Sequence, residues 1–349
     1  MTMKIKLLTG AALCAFTGIA GAQSSVTLFG VLDVNARWLE NNSVSQASLS
    51  QDGLTPSRLG VRGSEDLGGG LRAGFWLEGA LNPDTGTATG QTWQRRSTVS
   101  LSDRWGEVRL GRDFTATYWN NSDFDPFGDT GLAAITNLTG KPPAVPFGGA
   151  YDTIVRANNM IGYFLPSGIA GGLFGQAQVA AGENVYGNKY LGGRIGYASG
   201  PLTVAVAYGQ TQLRDDMDGD NFNIGASWNF SVVKVSGFYG QIKVDGDKAN
   251  SWFIGAVVPF GLWNFKASYG QTERSGTVPV NVEGQRANQL GLGATYDLSR
   301  RTALYGTWAG INNKGGASFV VGSQVNVRDG GAAPNADSQG FEFGVRHSF

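Results

Sequence analysis

The sequence has little of what most enzymes and secreted proteins rely on. It contains one cysteine and one histidine in 349 residues, so a disulfide within the chain is excluded. The histidine, His347, lies two residues from the C-terminus, and a hydrolase that uses a histidine base needs it beside the nucleophile. No Walker A motif, G-x-S-x-G motif or metal-ligand spacing is present. We therefore expect no enzyme, no cofactor and no bound metal.

The sequence also lacks a charge excess and a long apolar segment. Its 27 basic residues balance its 27 acidic residues, and this balance gives no indication of nucleic acid as a partner. Beyond the N-terminal segment no apolar run reaches about 18 residues, the length typical of a transmembrane helix. A helical membrane protein is therefore not expected.

The first 22 residues predict a signal peptide. Lys4 and Lys6 precede a short apolar stretch that ends at Ala20-Gly21-Ala22, which is the order of a secretory signal and its cleavage site. A short membrane anchor is the alternative, but the apolar stretch falls short of about 20 residues. Removal of residues 1–22 leaves a single domain, 23–349, with 25 basic and 27 acidic residues, a net charge of −2.

The rest of the chain repeats a two-residue alternation of apolar and polar side chains. In FNIGASWNF, from Phe222 to Phe230, every second residue is apolar, and the final stretch GFEFGVRHSF has the same pattern up to Phe349. This period is typical of strands with one apolar and one polar face. Water-soluble β-sandwiches alternate as well, so alternation alone leaves the solvent of the apolar face open.

The connections between these strands indicate a membrane barrel. Short turns alternate with long loops along the chain, and seven of the first kind with eight of the second predict sixteen strands. An even number of strands with turns of this kind is typical of an outer-membrane barrel. The fold class predicted is thus all-β, a transmembrane 16-stranded antiparallel β-barrel with short periplasmic turns and long external loops. The long loops are expected at about 37–56, 81–92, 114–153, 180–189, 211–221, 243–250, 272–288 and 311–338.

A barrel of this size assigns a role to each face of the strands. The apolar face, with aromatic residues at the strand ends, meets lipid, and the polar face lines an aqueous channel because sixteen strands are too many for a packed interior. The last strand is expected to pair with the first and close the barrel. Phe349 then lies at the periplasmic rim of that seam.

Five segments of the sequence are distinctive in combination: SSVTLFGVLDVN, SRLGVRGSEDLGGGLRAGFWLEG, RRSTVSLSDRWGEVRLGRDF, RANNMIGYFLP and the C-terminal aromatic strand. They resemble the general diffusion porins of Gram-negative outer membranes, most of all the anion-selective porins of beta-proteobacteria. The resemblance implies a homotrimer in the outer membrane, in contact with lipids and lipopolysaccharide. It also implies that the third loop folds into the lumen and that the barrel assembly machinery recognises the C-terminal Phe349.

The longest connection, 114–153, is the predicted constriction loop. Its segment DFDPFGD resembles the acidic Pro-Phe-Gly segment at the constriction of the family, although the glutamate is missing and the order differs. We therefore take Asp123, Asp125 and Asp129 as candidates for the acidic side of the pore. In the alternative interpretation these three carboxylates simply solvate an external loop.

Arginines on the strands are candidates for the basic side of the pore. Strand alternation points Arg58, Arg62 and Arg156 into the lumen, together with the acidic Glu78. The resemblance matches Arg58, Arg95 and Arg156 to the basic cluster of the family.

The position next to Arg95 stays open. Val99 and Leu101, which are expected to face outward, share the parity of Arg95 in WQRRSTVSL, and this favours Arg96 as the inward residue. A β-bulge or a subunit contact on this strand could reconcile the two indications.

These observations predict a passive diffusion channel for small hydrophilic solutes and ions with a mild anion preference. One alternative is a substrate-specific outer-membrane channel for a sugar or an organic anion, and a less favoured one is a barrel hydrolase. The acidic segment DDMDGD, residues 215–220, lacks the glycine and glutamate positions of an EF-hand. A weak role in binding divalent ions or bridging lipopolysaccharide is left open for it.

Overall fold

The fold is a closed antiparallel β-barrel, seen in a computed structural model. The structure describes residues 25–42, 44–87, 92–142, 152–277, 281–322 and 333–349, so the predicted signal peptide, 1–22, and part of the predicted constriction loop lie outside the described residues. The elements in chain order are β1 (Ser25–Asn41), β2 (Val44–Gln51), β3 (Arg58–Gly68), β4 (Leu71–Ala80), β5 (Arg96–Asp103), β6 (Gly106–Phe114), α1 (Ala116–Phe124), β7 (Arg156–Phe164), β8 (Leu173–Ala180), β9 (Tyr190–Ser199), β10 (Leu202–Arg214), β11 (Met217–Asn229), β12 (Lys234–Val244), β13 (Asp247–Phe260), β14 (Trp263–Ser275), β15 (Gln285–Asp297), β16 (Thr302–Lys314) and β17 (Ser338–Ser348).

The first strand closes the barrel and is shared by three partners. β1 pairs along one side with β17, in a register that sets Leu32 opposite His347. Along its other side, its first half pairs with β3 and its second half with β2. β2 therefore forms a hairpin within the first long connection, and the remaining sixteen strands make the wall. The predicted 16-stranded barrel with a closed seam is confirmed.

The short turns lie at one end of the barrel, as predicted, but two of the predicted long loops are wrong. β10 and β11 are joined by residues 215–216 alone, and β12 and β13 by residues 245–246. In both places strand pairing continues through the polar residues that suggested loops. In the first hairpin, for example, Gln212 lies opposite Asp218. Polar side chains are stable there because a strand that extends past the lipid is in water on both faces.

The outer surface of the wall carries the apolar face of the strands. Leu28 is 62% exposed, Ile254 53% and Phe343 64%, values that a water-soluble core would not allow. Exposed aromatic residues gather near the strand ends, with Trp228 and Trp263 toward the short turns and Phe341 toward the long loops. This distribution is that of an apolar band flanked by aromatic belts, as a membrane barrel requires.

The described part of the third loop, residues 115–142 and 152–155, folds back into the barrel and covers part of its inner wall. It begins with α1, continues through a turn of 3₁₀ helix at Ile135–Asn137 and ends with another at Asp152–Ile154. The amide of Asn120 donates to the carbonyl of Ala205 on β10, and Asn223 on β11 donates to the carbonyl of Thr117. The predicted inward-folded third loop is therefore present.

Glycines of the inner wall make this close packing possible. A side chain at Gly225 would collide with the ring of Phe124, and one at Gly255 would collide with Pro126. The apolar residues of the loop are buried against the wall at these glycines, so the main hydrophobic core lies between the loop and the wall. Its largest buried members include Phe124, Leu132, Ile135, Leu138 and Phe253.

The helical content is small. Within the described ranges, no helix is long and apolar enough to cross a membrane.

Candidate pore constriction

Three arginines meet on the wall that faces the third loop. Arg58 begins β3, Arg156 begins β7 and Arg95 immediately precedes β5, so each stands at the long-loop end of its strand. Glu78 on β4 lies between two of them, with its Oε1 2.7 Å from Nε of Arg95 and 3.8 Å from Nε of Arg58. The Nε of Arg156 donates to the backbone carbonyl of Arg95 at 2.8 Å. The Glu78 carboxylate therefore pairs with two of three neighbouring guanidinium cations. We call these three residues the basic cluster: Arg58, Arg95 and Arg156.

Backbone and aromatic contacts hold these guanidinium groups in place. Arg156 lies over the ring of Phe114, with 4.2 Å from its Cζ to the ring centroid, and Arg58 donates to the carbonyl of Pro56 at 3.1 Å. Neither contact removes positive charge, because a carbonyl dipole and a ring face stabilise a cation without neutralising it. The basic cluster therefore keeps its charge toward the lumen.

The structure places both Arg95 and Arg96 on the lumen side. Arg96 is the first residue of β5 and follows its inward parity, opposite Glu78 on β4. Arg95 precedes the strand, where the alternation of side chains does not apply, and its Nε reaches the same glutamate. Neither a bulge nor a subunit contact is required, since β4 and β5 pair without a register shift.

One of the three loop aspartates faces the basic cluster across a cavity. Asp129 lines a cavity of about 330 Å³ together with Arg95, Arg156 and Tyr118. Burial, and then the neighbouring Asp125, raise the pKa of the Asp129 carboxyl to about 7. Of the two aspartates that line this cavity, Asp52 and Asp129, the second thus carries a carboxyl that ionises near neutral pH, whereas arginine stays protonated.

The structure places the other two aspartates elsewhere. Asp125 is 7% exposed, and its carboxylate accepts hydrogen bonds from the amides of Phe127, Asp129 and Ile135. It organises the tip of the third loop and does not face the lumen. Asp123 lies on α1 and pairs with Arg194 of β9 at 2.5 Å, away from the basic cluster.

Arg62 and Arg96 lie on the wall at and beyond the level of Glu78, toward the short turns. Arg62 pairs in register with Trp76, and Arg96 pairs with Glu78. Both guanidinium groups stack on the indole of Trp76, at 4.9 Å and 4.5 Å from Cζ to the ring centroid. The five arginines of the prediction thus fall into two sets, the basic cluster and this pair.

Sequence reasoning missed several charged residues of the lumen, among them Asp113, Arg194 and Asp52. Asp113 on β6 is fully buried and pairs with Arg109 at 2.5 Å, and its inward parity with Arg109 was a signal that could have identified it. Arg194, the partner of Asp123, shows the same inward parity on β9. Asp52 lines the cavity beside Arg95 and lies between two strands, where no periodicity marks it; burial raises its pKa.

Known proteins share both this sequence and this architecture. Residues 9–316 match the family described as Gram-negative porin. Outer membrane porin protein 32 of Delftia acidovorans is 38% identical over 99% of both chains. The solved anion-selective porin from Comamonas acidovorans superposes with a TM-score of 0.82 at 36% identity, over 94% of this chain and all of that one.

A more distant structure shares the fold alone. OmpT of Vibrio cholerae, solved in a trimer form, gives a TM-score of 0.65 at 13% identity over 93% of this chain and 99% of that one. The extent of the family match and the identity to the Delftia protein are decisive, since both span nearly the whole length. The chain belongs to the Gram-negative porin family and is an outer-membrane porin.

Proposed function

We propose that this porin lets small hydrophilic solutes and ions diffuse passively through the outer membrane, with a mild preference for anions. One observation carries the preference. The basic cluster presents three guanidinium groups to the narrowed lumen, where Glu78 pairs with two of them and Asp129 lies opposite. Since Asp129 is only partly ionised near neutral pH, the positive charge of the three guanidinium groups exceeds the negative charge of Glu78, Asp52 and Asp129 at this level.

The net charge of the chain favours cations instead of anions, but it carries less weight than the charges in the lumen. With residues 1–22 removed, the net charge is −2, which by itself favours cations. Much of the acidic charge lies on loops such as 215–220, where water and salt screen it within about 8 Å. Charges in the narrowed lumen act on a passing ion at close range, and the low-dielectric surroundings focus their field.

The solved anion-selective porin from Comamonas acidovorans supports the direction of this preference. A substrate-specific channel for a sugar or organic anion is the second candidate, and inward aromatic residues such as Trp76 and Phe114 favour it to some extent. We infer a channel and not an enzyme, since the family consists of porins. The single histidine, His347, forms a hydrogen bond with Thr302 near the C-terminal end of the last strand and does not lie in the constriction.

The assembly of the porin is part of the proposal. We propose a homotrimer, supported by the trimer form of a protein with the same fold, and contact with outer-membrane lipids and lipopolysaccharide through the apolar band. We also propose that residues 1–22 direct export and that the barrel assembly machinery recognises Phe349. Phe349 lies at the rim of the barrel and is 44% exposed, which is compatible with such recognition.

The test of the proposed function is the zero-current potential of the purified porin in a planar bilayer under a roughly tenfold potassium chloride gradient. Anion preference gives a potential of one sign and cation preference the other. A potential of the cation sign would mean that the acids of the loops control permeation, and the proposal would fail.

A further inference from the structure

Below the basic cluster, the lumen wall carries a second group of cations that the proposed constriction does not use. Arg62 lies four residues beyond Arg58 along β3, which corresponds to about 13 Å. It faces a cavity of about 360 Å³ on the periplasmic side, lined also by Trp76, Arg96 and Arg109. A cavity of this volume falls in the range of small-molecule sites.

Arg62 differs from the other arginines of this cavity in having no acidic partner. Arg109 pairs with Glu107 at 2.8 Å and with Asp113 at 2.5 Å, and Arg96 lies 3.6 Å from Asp113. Within the described ranges, Arg62 forms no ion pair, and its side-chain N–H groups donate to no protein acceptor. Its side chain is exposed to the lumen, so its charge is available to a solute.

Aromatic rings fix the position of this free guanidinium group. The Cζ of Arg62 lies 5.2 Å from the ring centroid of Phe29 and 4.9 Å from that of Trp76, and the two rings meet edge to face at 5.1 Å. The indole of Trp76 is itself held, because its Nε1–H donates to Glu78 at 3.1 Å. A stacked guanidinium loses little further freedom on binding, and its planar fork matches the two oxygens of a carboxylate.

We propose that Arg62, held between Phe29 and Trp76, forms a second anion-binding point of the channel, selective for small aromatic carboxylates. The carboxylate accepts from the free N–H groups of Arg62. The flat ring of the ligand lies along the part of the Trp76 indole that lines the cavity, beside the stacked guanidinium groups of Arg62 and Arg96. The hydroxyl-rich wall with Thr98 completes the cavity. An anion that has passed the basic cluster reaches this site next on its way to the periplasm. The inference rests on the proposed function only in assuming that anions pass through the channel.

Fluorine NMR on the full porin in detergent micelles tests this site without measuring ion flow. The nine tryptophans are replaced by 5-fluorotryptophan, and Trp76→Phe identifies the Trp76 resonance. Benzoate is the probe, and benzyl alcohol is the uncharged control of similar shape. We expect a saturable shift of the Trp76 resonance with benzoate and none with benzyl alcohol.

Two variants with the same loss of charge separate a specific site from a general attraction. Arg62→Gln removes the proposed ligand, and Arg72→Gln removes an inward, exposed arginine of the neighbouring strand β4. We expect Arg62→Gln to weaken benzoate binding about tenfold, the effect of losing a charge-assisted contact, and Arg72→Gln to leave it unchanged. Heat-resistant trimers on gels verify that both variants fold.

Each other outcome overturns the inference. It fails if unmodified protein shows no saturable shift, if benzyl alcohol shifts the resonance equally, or if the two variants behave alike. The result is separable from the proposed function, because a cation-signed potential in the bilayer would overturn the anion preference of the constriction while a benzoate-induced shift at Trp76 would still establish this site.

Discussion

Arg37 and Glu342 form a buried ion pair that joins the first strand of the barrel to the last, with 2.6 Å between Nη2 and Oε2. The second oxygen of Glu342 accepts the backbone amide of Leu132 in the third loop at 3.2 Å. The same carboxylate therefore holds the seam of the barrel and the loop that narrows it.

We expect Glu342→Gln to destabilise the porin strongly. The substitution leaves Arg37, whose side chain is 5% exposed, as an uncompensated buried charge, a change that costs about 3–5 kcal/mol in buried pairs. The measurement is the temperature at which the folded β-signal in circular dichroism is lost. The double variant Arg37→Gln, Glu342→Gln removes both charges and should recover a large part of the loss; if it melts like the single variant, the ion pair is not the cause.

Removal of two cations from the basic cluster should abolish or reverse the anion preference. In the Arg58→Ser, Arg156→Ser variant Arg95 is the one cation of the basic cluster that remains, so the local charge excess disappears. The measurement is the zero-current potential under a tenfold potassium chloride gradient. Arg104→Ser, Arg300→Ser is the matched control, since both residues are exposed in turns at the periplasmic end. An equal change in both variants would show that net charge, not position, sets the selectivity.

The architecture was predictable from the sequence because lipid imposes a strict period on the strands. Alternation located the outward residues from Leu28 to Phe343, and it assigned Arg58, Arg62 and Arg96 to the opposite, polar face of the paired strands. It failed at 211–221 and 243–250, where the strands continue into water. There the apolar half of the pattern ends while backbone pairing does not, so hydropathy no longer marks the strand end.

The candidate site was less accessible to sequence reasoning, for a related reason. Arg95 precedes its strand, and Asp125 and Asp129 lie in an irregular loop, so no period assigns their direction. Only the folded loop shows that Asp125 faces three backbone amides while Asp129 faces the cavity. The stacking of Arg62 on Trp76 likewise depends on the register between β3 and β4, which the sequence alone does not determine.

Phe349 should be required for efficient assembly but not for export. Its backbone exchanges two hydrogen bonds of 3.0 Å with Gly30, and its ring covers that glycine at the rim of the seam. Phe349→Asp keeps the backbone pairing, and a charge at the rim of a barrel costs only about 0–1 kcal/mol. A large loss of folded trimer in the outer membrane would therefore reflect recognition.

The control for this variant is Phe343→Asp, which introduces the same charge six residues earlier on an outward position that is 64% exposed. It adds a cost of lipid exposure but leaves the terminal residue intact. The measurement is the ratio of heat-resistant trimer to processed precursor in cell fractions. Normal trimer yield for Phe349→Asp would exclude the terminal residue as an assembly signal.

The selectivity of the channel should depend on pH through Asp129. Its pKa is raised to about 7 because the carboxyl is buried beside Asp125, so it is neutral below this pH and charged above it. Acidification therefore removes one negative charge that faces Arg95 and Arg156, and the anion preference should rise as the pH falls through about 7. At about 8 Å in water a unit charge contributes ~0.5 kcal/mol, so the permeability ratio should change at least about twofold.

The Asp129→Asn variant identifies the group responsible. Burial also raises the pKa of the Asp52 and Asp125 carboxyls, so either could contribute to a pH response. Tyr118 does not contribute, because burial and the nearby Asp129 raise its pKa and it stays neutral. If Asp129 is the titrating group, the variant should show the acidic value of the zero-current potential at every pH between 5.5 and 8.5. Should the variant keep the full pH response of the unmodified porin, the titrating charge lies elsewhere in the lumen and Asp129 does not govern permeation.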